Sequence, residues 1–206
     1  MSAAYMVDKA LRVPKRKLLE PLAKRLNGVS PTTLTALGLG AGLLCAVAAL
    51  FAQSELAFAF WLVNRLLDGL DGELARVFER QSDLGGYFDI MADLVVYAAV
   101  PIGLSYGYGG PGVVLALVVL LSTYYVNAGS WMYLSALLEK RSQGAAAQGE
   151  ATSVTMPSGL VEGAETVVFY SLFLLFPAAL PFLFWTMSAL VAVTLAQRLV
   201  WARRHL

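Results

Sequence analysis

The chain has 206 residues, of which 58% are hydrophobic and only 14% charged, and its formal net charge is +1. A water-soluble domain carries roughly a quarter charged side chains, so this composition places the chain in a membrane. A single cysteine, Cys45, excludes an intramolecular disulfide and a cysteine-ligated zinc site, and a single histidine, His205, argues against histidine chemistry.

Residues 1–30 hold seven of the fifteen Lys and Arg: Lys9, Arg12, Lys15, Arg16, Lys17, Lys24 and Arg25. Leu11, Val13, Leu18, Leu19, Leu22 and Leu26 recur among them at helical intervals, which predicts an amphipathic helix lying on the membrane surface. The first long apolar run begins only after Pro31, too late and too long for a signal peptide. From there the chain reads as one domain, 31–206, of six apolar spans: 32–53, 56–78, 85–106, 112–138, 159–177 and 181–200. Ser30, Pro31, Thr32 and Thr33 supply a helix start, while "GYGGPG" at 107–112 and "PAALP" at 177–181 break the chain between spans. The short connections near 53–56, 107–112 and 177–181 contain no Lys or Arg. Every basic residue except Arg65 lies towards the opposite ends. The positive-inside rule therefore puts both termini on the cytoplasmic side, as expected for an inner (plasma) membrane protein with an even number of spans. The fold class expected is an all-α membrane protein: six transmembrane helices preceded by a surface helix.

The second and third spans carry what an apolar chain should avoid. Asp68 and Asp71 are three residues apart, Asp89 and Asp93 four apart, so each pair shares a helix face. The link "VFERQSDL" is short enough to make the two helices antiparallel neighbours with both pairs at similar depth. Four converging carboxylates repel one another unless a cation sits among them, and oxygen-only ligands suit Mg²⁺ or Mn²⁺. Asp83, Glu73 and Glu79 fall outside the face pattern and read as solvated loop acids. Gly72 and Gly85 leave bare backbone beside the carboxylates, and Arg76, one turn after Gly72, has the reach to hold a phosphate. Arg65, three residues before Asp68, is expected to pair with a carboxylate or a substrate phosphate rather than face lipid. Together these groups describe a site for a pyrophosphate.

"DGLDGELAR" from Asp68 to Arg76, then eight residues, then "GGYFDIMAD" from Gly85 to Asp93, resembles the signature of the CDP-alcohol phosphotransferases (the CDP-alcohol phosphatidyltransferase family) at every fixed position. The resemblance is strong over about 28–95 and architectural beyond. It implies a six-span enzyme with a surface helix and a cytoplasm-facing site, usually a homodimer, that binds two divalent cations, Mg²⁺ or Mn²⁺. By that resemblance Asp68, Asp71 and Asp89 are ligands of one metal and Asp68, Asp89 and Asp93 of a second, with Asp93 also the general base. Gly72, Arg76 and Ser82 are similar to donor contacts, and Pro31, Thr32, Thr33 and Leu34 of "SPTTLT" would border the CDP group. The implied reaction transfers a phosphatidyl group from CDP-diacylglycerol to a hydroxyl acceptor and releases CMP.

Candidates for the acceptor pocket are Asn127, Ser130 and Trp131 in the fourth span and Glu162 and Glu165, three apart, at the start of the fifth. Trp131 also suits an interfacial aromatic belt, and the glutamates suit a helix N-terminus. Between Asp93 and Arg198 the only basic residues are Lys140 and Arg141, in the loop after the fourth span. A phosphorylated acceptor would want fixed cations in its pocket, so an unphosphorylated polyol or amino alcohol is expected. "NAGSWMYLSALLEKR" is similar to the corresponding stretch of phosphatidylinositol synthases, which favours inositol. The alternatives are a CDP-choline or CDP-ethanolamine donor, a glycerol-phosphate or inositol-phosphate acceptor, and, in a different class, a divalent-cation transporter. Gly38 and Gly42, four apart, predict close helix packing inside one chain or between two. The loop 142–154 reads as a linker.

Overall fold

A computed structural model describes residues 19–144 and 159–206, and every regular element among them is helical. Most of the expected surface helix over 1–30, and most of the 142–154 loop, lie outside the described residues. Within them, 19–25 is helical, with Leu19 and Ala23 buried.

Six helices follow: α1 (Pro31–Leu50), α2 (Ser54–Val77), α3 (Asp83–Gly107), α4 (Val113–Lys140), α5 (Gly163–Leu175) and α6 (Leu180–His205). Their ends follow local chemistry. Ser30 caps α1 by accepting the Thr33 N–H at 3.1 Å, and Pro31 at the first helical position has no N–H to leave unpaired. Ser82 caps α3 in the same way through the Gly85 N–H at 3.1 Å. Gly112, at φ +82°, turns the chain into α4 through a conformation that strains other residues. A 3-10 turn, Pro177–Ala179, separates α5 from α6.

Each predicted span coincides with one of these helices, but not all six have the length and apolarity to cross a bilayer. α1, α3, α4 and α6 do, α6 with the turn before it. The second, α2, is 24 residues long and interrupted by charge; α5 has only 13 residues because its helix begins at Gly163 rather than 159 and ends at Leu175 rather than 177. The aliphatic side chains on outward faces, such as Leu37, Leu44, Val114, Leu115 and Leu199, are exposed. The chain is an integral membrane protein.

α1 packs along both α2 and α3, α4 packs along α6, and α5 contacts α2, α3 and α6. Glycines allow the first of these contacts. Gly38 and Gly42 turn inward: the Gly38 carbonyl accepts Asn64 Nδ2 at 2.8 Å, and Gly42 lies against Val96. The stripe predicted from sequence therefore packs within one chain. A Cβ on Gly103 or Gly107 would collide with the Ala46 or Ala49 carbonyl of α1.

The apolar interior is divided. A large cluster draws on all six helices, with Cys45, Trp61, Val96, Leu120, Tyr170, Phe173, Phe184 and Met187 at its centre. A small one joins Leu19, Ala23, Leu34, Leu70 and Leu74. Between the two clusters Thr35 of α1 and Asn64, Arg65, Asp68 and Asp71 of α2 interrupt the apolar packing, and α3 adds Asp89 and Asp93 ahead of Val96. These side chains form a polar layer.

Candidate active site

The polar layer surrounds a narrow, open cleft lined by Thr35, Gly38, Leu39, Asn64, Arg65, Asp68, Asp71, Asp89, Ala92 and Asp93. The four paired aspartates thus converge, two from α2 and two from α3. They do so because residues three or four apart share a helix face and because α2 and α3 both pack along α1.

The carboxylates are not equivalent. Asp71 is buried, 4% exposed, and accepts the Thr35 hydroxyl through Oδ2 at 2.6 Å. Asp93 accepts Arg65 Nη2 through Oδ1 at 2.8 Å. Asp68 Oδ2 lies 3.7 Å from Arg65 Nη1, an ion-pair distance rather than a hydrogen bond. Arg65 as a pairing residue was legible from sequence. Its other holders were not: Nε donates to Asn64 Oδ1 at 2.8 Å and Nη1 to the Tyr97 hydroxyl at 3.0 Å.

A hard divalent cation is what this donor set suits, since four carboxylates and no nitrogen or sulfur ligand face the cleft. Among the described residues, no three carboxylate, histidine or cysteine groups are already gathered into a coordination shell. Arg65 holds Asp93 and Thr35 holds Asp71, so two of the four acids are turned towards protein donors. The residues fit a cation by chemistry and by convergence on one space.

The remaining expected donor contacts do not line the cleft. Arg76 lies with its guanidinium 3.5 Å from where a Cβ on Gly72 would be, so the missing side chain makes its seat. It is held there by Glu73 Oε2, 3.0 Å from Nη2. Glu73, expected as a solvated loop acid, is instead 2% exposed, because its position turns it under Arg76 and into the helix bundle. Ser82 is spent on its cap, and Pro31, Thr32 and Thr33 form the first turn of α1, with Leu34 buried in the small apolar cluster. Arg80 clasps this region, donating to the Asn27 carbonyl at 2.9 Å and Asn27 Oδ1 at 3.1 Å.

None of Asn127, Trp131, Glu162 or Glu165 lines the aspartate cleft. Glu162 and Glu165 form a capping box at the start of α5: Glu165 Oε2 accepts the Glu162 N–H at 3.0 Å, while Glu162 Oε1 accepts the Gly159 N–H at 2.9 Å. Asn127 Oδ1 accepts Arg198 Nη1 at 2.7 Å. Arg198 is only 6% exposed, and its Nε has no hydrogen-bond partner among the described residues. It is the cation that the sequence reading placed at the end of the chain and outside the acceptor region. Arg141, by contrast, donates to the Leu206 carbonyl at 2.9 Å, which fastens the end of α4 to that of α6.

Comparison with known proteins agrees with this architecture. The chain is 33% identical to the inner membrane protein YnjF of Escherichia coli over 175 residues, 84% of each chain. It is 28% identical to the phosphatidylinositol phosphate synthase of Cutibacterium acnes, across 91% of this chain and 93% of that one. A CDP-diacylglycerol–serine O-phosphatidyltransferase of Mycobacterium bovis is 37% identical over 73 residues, 35% of this chain and 26% of its own. Among solved structures, the phosphatidylinositol phosphate synthase of Mycobacterium tuberculosis with CDP-DAG bound superposes with a TM-score of 0.63 at 23% identity, over 90% of this chain and 94% of that one. The same enzyme in complex with manganese and citrate gives a TM-score of 0.62. The CDP-alcohol phosphatidyltransferase model matches residues 28–202, which takes in all of α1 to α5 and nearly all of α6, and the chain belongs to that family.

Proposed function

We propose that the chain transfers a phosphatidyl group from CDP-diacylglycerol to the hydroxyl of a small acceptor, releasing CMP. The observation that carries this reading is the convergence of Asp68, Asp71, Asp89 and Asp93 on one cleft within a polar layer of the bundle. A pyrophosphate brought there needs its charge neutralised, and these acids would hold the two divalent cations, Mg²⁺ or Mn²⁺, that do so. Such cations, when bound, orient the pyrophosphate and stabilise charge on the leaving nucleotide. The chain's own residues do the rest. Asp93 takes the proton of the acceptor hydroxyl, the acceptor oxygen bonds to the phosphorus that bears diacylglycerol, and the bond to CMP breaks with the electron pair on CMP. Arg76 over Gly72 and the first turn of α1, outside the cleft lining, would border the nucleotide, as the family resemblance implies.

The membrane arrangement belongs to the same reading. All six helices cross or enter the bilayer, and the cleft faces the cytoplasm. The acyl chains of the donor stay among the helices while CDP meets water, and the protein works as a homodimer.

For the acceptor, the favoured reading is an unphosphorylated polyol or amino alcohol, inositol first, because among the described residues no cation other than Arg65 lines the cleft. Arg198 supports a second reading. A buried guanidinium beside Asn127 suits an acceptor with its own phosphate, and one relative is a phosphatidylinositol phosphate synthase.

The test is CMP release by the purified protein with Mn²⁺ and CDP-diacylglycerol against inositol, serine, ethanolamine, glycerol phosphate and inositol phosphate. Release dependent on an unphosphorylated acceptor supports the first reading. Release only with a phosphorylated one, reduced in Arg198→Gln, supports the second. No CMP with any acceptor, or with a CDP-amino-alcohol donor, points to the transporter class.

A further inference from the structure

Among the described residues, Arg65 is the one side chain lining the cleft that carries a permanent positive charge. It is held on every side. Nε, Nη1 and Nη2 donate to Asn64, Tyr97 and Asp93 respectively. The guanidinium carbon lies 4.7 Å from the centre of the Trp61 ring and 5.4 Å from that of Tyr97, both on the apolar side. Trp61 is itself locked, with no exposed surface and its indole N–H on Ser171 at 3.1 Å. The side chain of Arg65 is 12% exposed. A lone surface arginine moves among rotamers; this one has its position set by four neighbours.

Two consequences follow from the geometry. Arg65 occupies Oδ1 of Asp93 and the Tyr97 hydroxyl also bonds that carboxylate, so the carboxylate cannot rotate freely. The same guanidinium stands beside Asp68, so a fixed positive charge lies among the acids that would bind cations and lowers their pull on any further cation. We propose that Arg65 is a positioning residue: it fixes the orientation of Asp93 for proton transfer and, by its resident charge, holds the divalent-cation affinity of the empty cleft down. The inference rests on the reading of these acids as a cation site for phosphatidyl transfer. It makes donor binding the event that completes the site, since the pyrophosphate supplies the negative charge that Arg65 offsets.

The two roles separate in two variants. Arg65→Met keeps much of the volume and loses both charge and hydrogen bonds. Arg65→Lys keeps the charge and loses the planar fork. Mn²⁺ binding without nucleotide, read from the spin-resonance signal of free Mn²⁺ over the purified protein in detergent, is expected to tighten on the order of tenfold in Arg65→Met and to stay within about twofold in Arg65→Lys. Steady-state CMP release is expected to show kcat reduced by roughly a hundredfold in Arg65→Met and at least tenfold in Arg65→Lys, with the donor KM within about twofold of wild type. A residue that merely supports the fold would weaken Mn²⁺ binding when removed, the opposite sign. Unchanged or weaker Mn²⁺ binding in folded Arg65→Met overturns the charge role. Wild-type kcat in Arg65→Lys overturns the positioning role, and that variant carries the test if Arg65→Met does not fold. Wild-type protein that binds no Mn²⁺ and releases no CMP overturns the functional reading and this inference with it; wild-type protein active beside unaltered variants overturns this inference alone.

Discussion

Asp93 and Asp71 show how an acid is kept in an apolar bundle: each is given a donor from a neighbouring helix or a neighbouring turn. Removing the Thr35 hydroxyl leaves Asp71, almost wholly buried, with one less donor. Thr35→Val is therefore expected to cost about 1–3 kcal/mol, read as a lowered midpoint of thermal unfolding in detergent, with part of the loss restored by saturating Mn²⁺. For Asp93 the expectation is chemical. Asp93→Asn should bind CDP within a fewfold of wild type by calorimetry while CMP release falls on the order of 10²–10⁴-fold, the range of a lost general base. Equal loss of CDP affinity and turnover would instead make Asp93 a binding residue. These acids were legible in the sequence, because carboxylates paired at helical spacing are costly in an apolar span and so mark a site. Thr35 was not. It stands in the same "SPTTLT" stretch as the expected nucleotide contacts, but its partner is 36 residues away and no local pattern links them.

At the scale of elements, the site depends on how closely α1 approaches α3. Gly103 meets the Ala46 carbonyl directly, with no room for a methyl group, whereas nothing lies within 4 Å of a Cβ on Gly40 or Gly129. Gly103→Ala is thus expected to destabilise by about 1–3 kcal/mol by forcing two backbones apart. Gly40→Ala should be neutral or gain up to about 1 kcal/mol from helix propensity. Thermal melts of both variants, with CMP release beside them, check the contrast; equal midpoints would mean the α1–α3 contact is looser than the structure has it. The helices themselves were readable from apolar runs and turn residues. The start of α5 was displaced because Glu162 and Glu165 build a capping box, with Glu162 as the N-cap and Glu165 in the first turn, so the helix begins at Gly163. The same residues had been candidates for the acceptor, and both readings used the same spacing; only the backbone contacts separate them. Glu73 was misplaced for a related reason. A lone acid inside a polar stretch reads as solvated until its neighbour Arg76 is seen folded over Gly72.

For the whole molecule, membrane residence and an all-helical bundle followed from composition, since a chain this poor in charge cannot remain in water as a monomer. What composition cannot supply is which distant helices touch. Arg198 and Asn127 are 71 residues apart, and their contact puts a buried cation where the linear reading found none. The division of the core into two apolar clusters with a polar layer between them was equally hidden, because each helix alone carries only a short polar interruption. Assembled, those interruptions form one acidic cleft, and the account stands on that cleft being the reaction site. The most direct measurement is Mn²⁺-dependent CMP release from CDP-diacylglycerol, with the acceptor panel present, by wild-type protein and by Asp89→Asn. The account predicts release that EDTA stops and Mn²⁺ restores, and that falls by roughly a hundredfold or more in the variant. Release by Asp89→Asn at the wild-type rate, or release indifferent to EDTA, would contradict it.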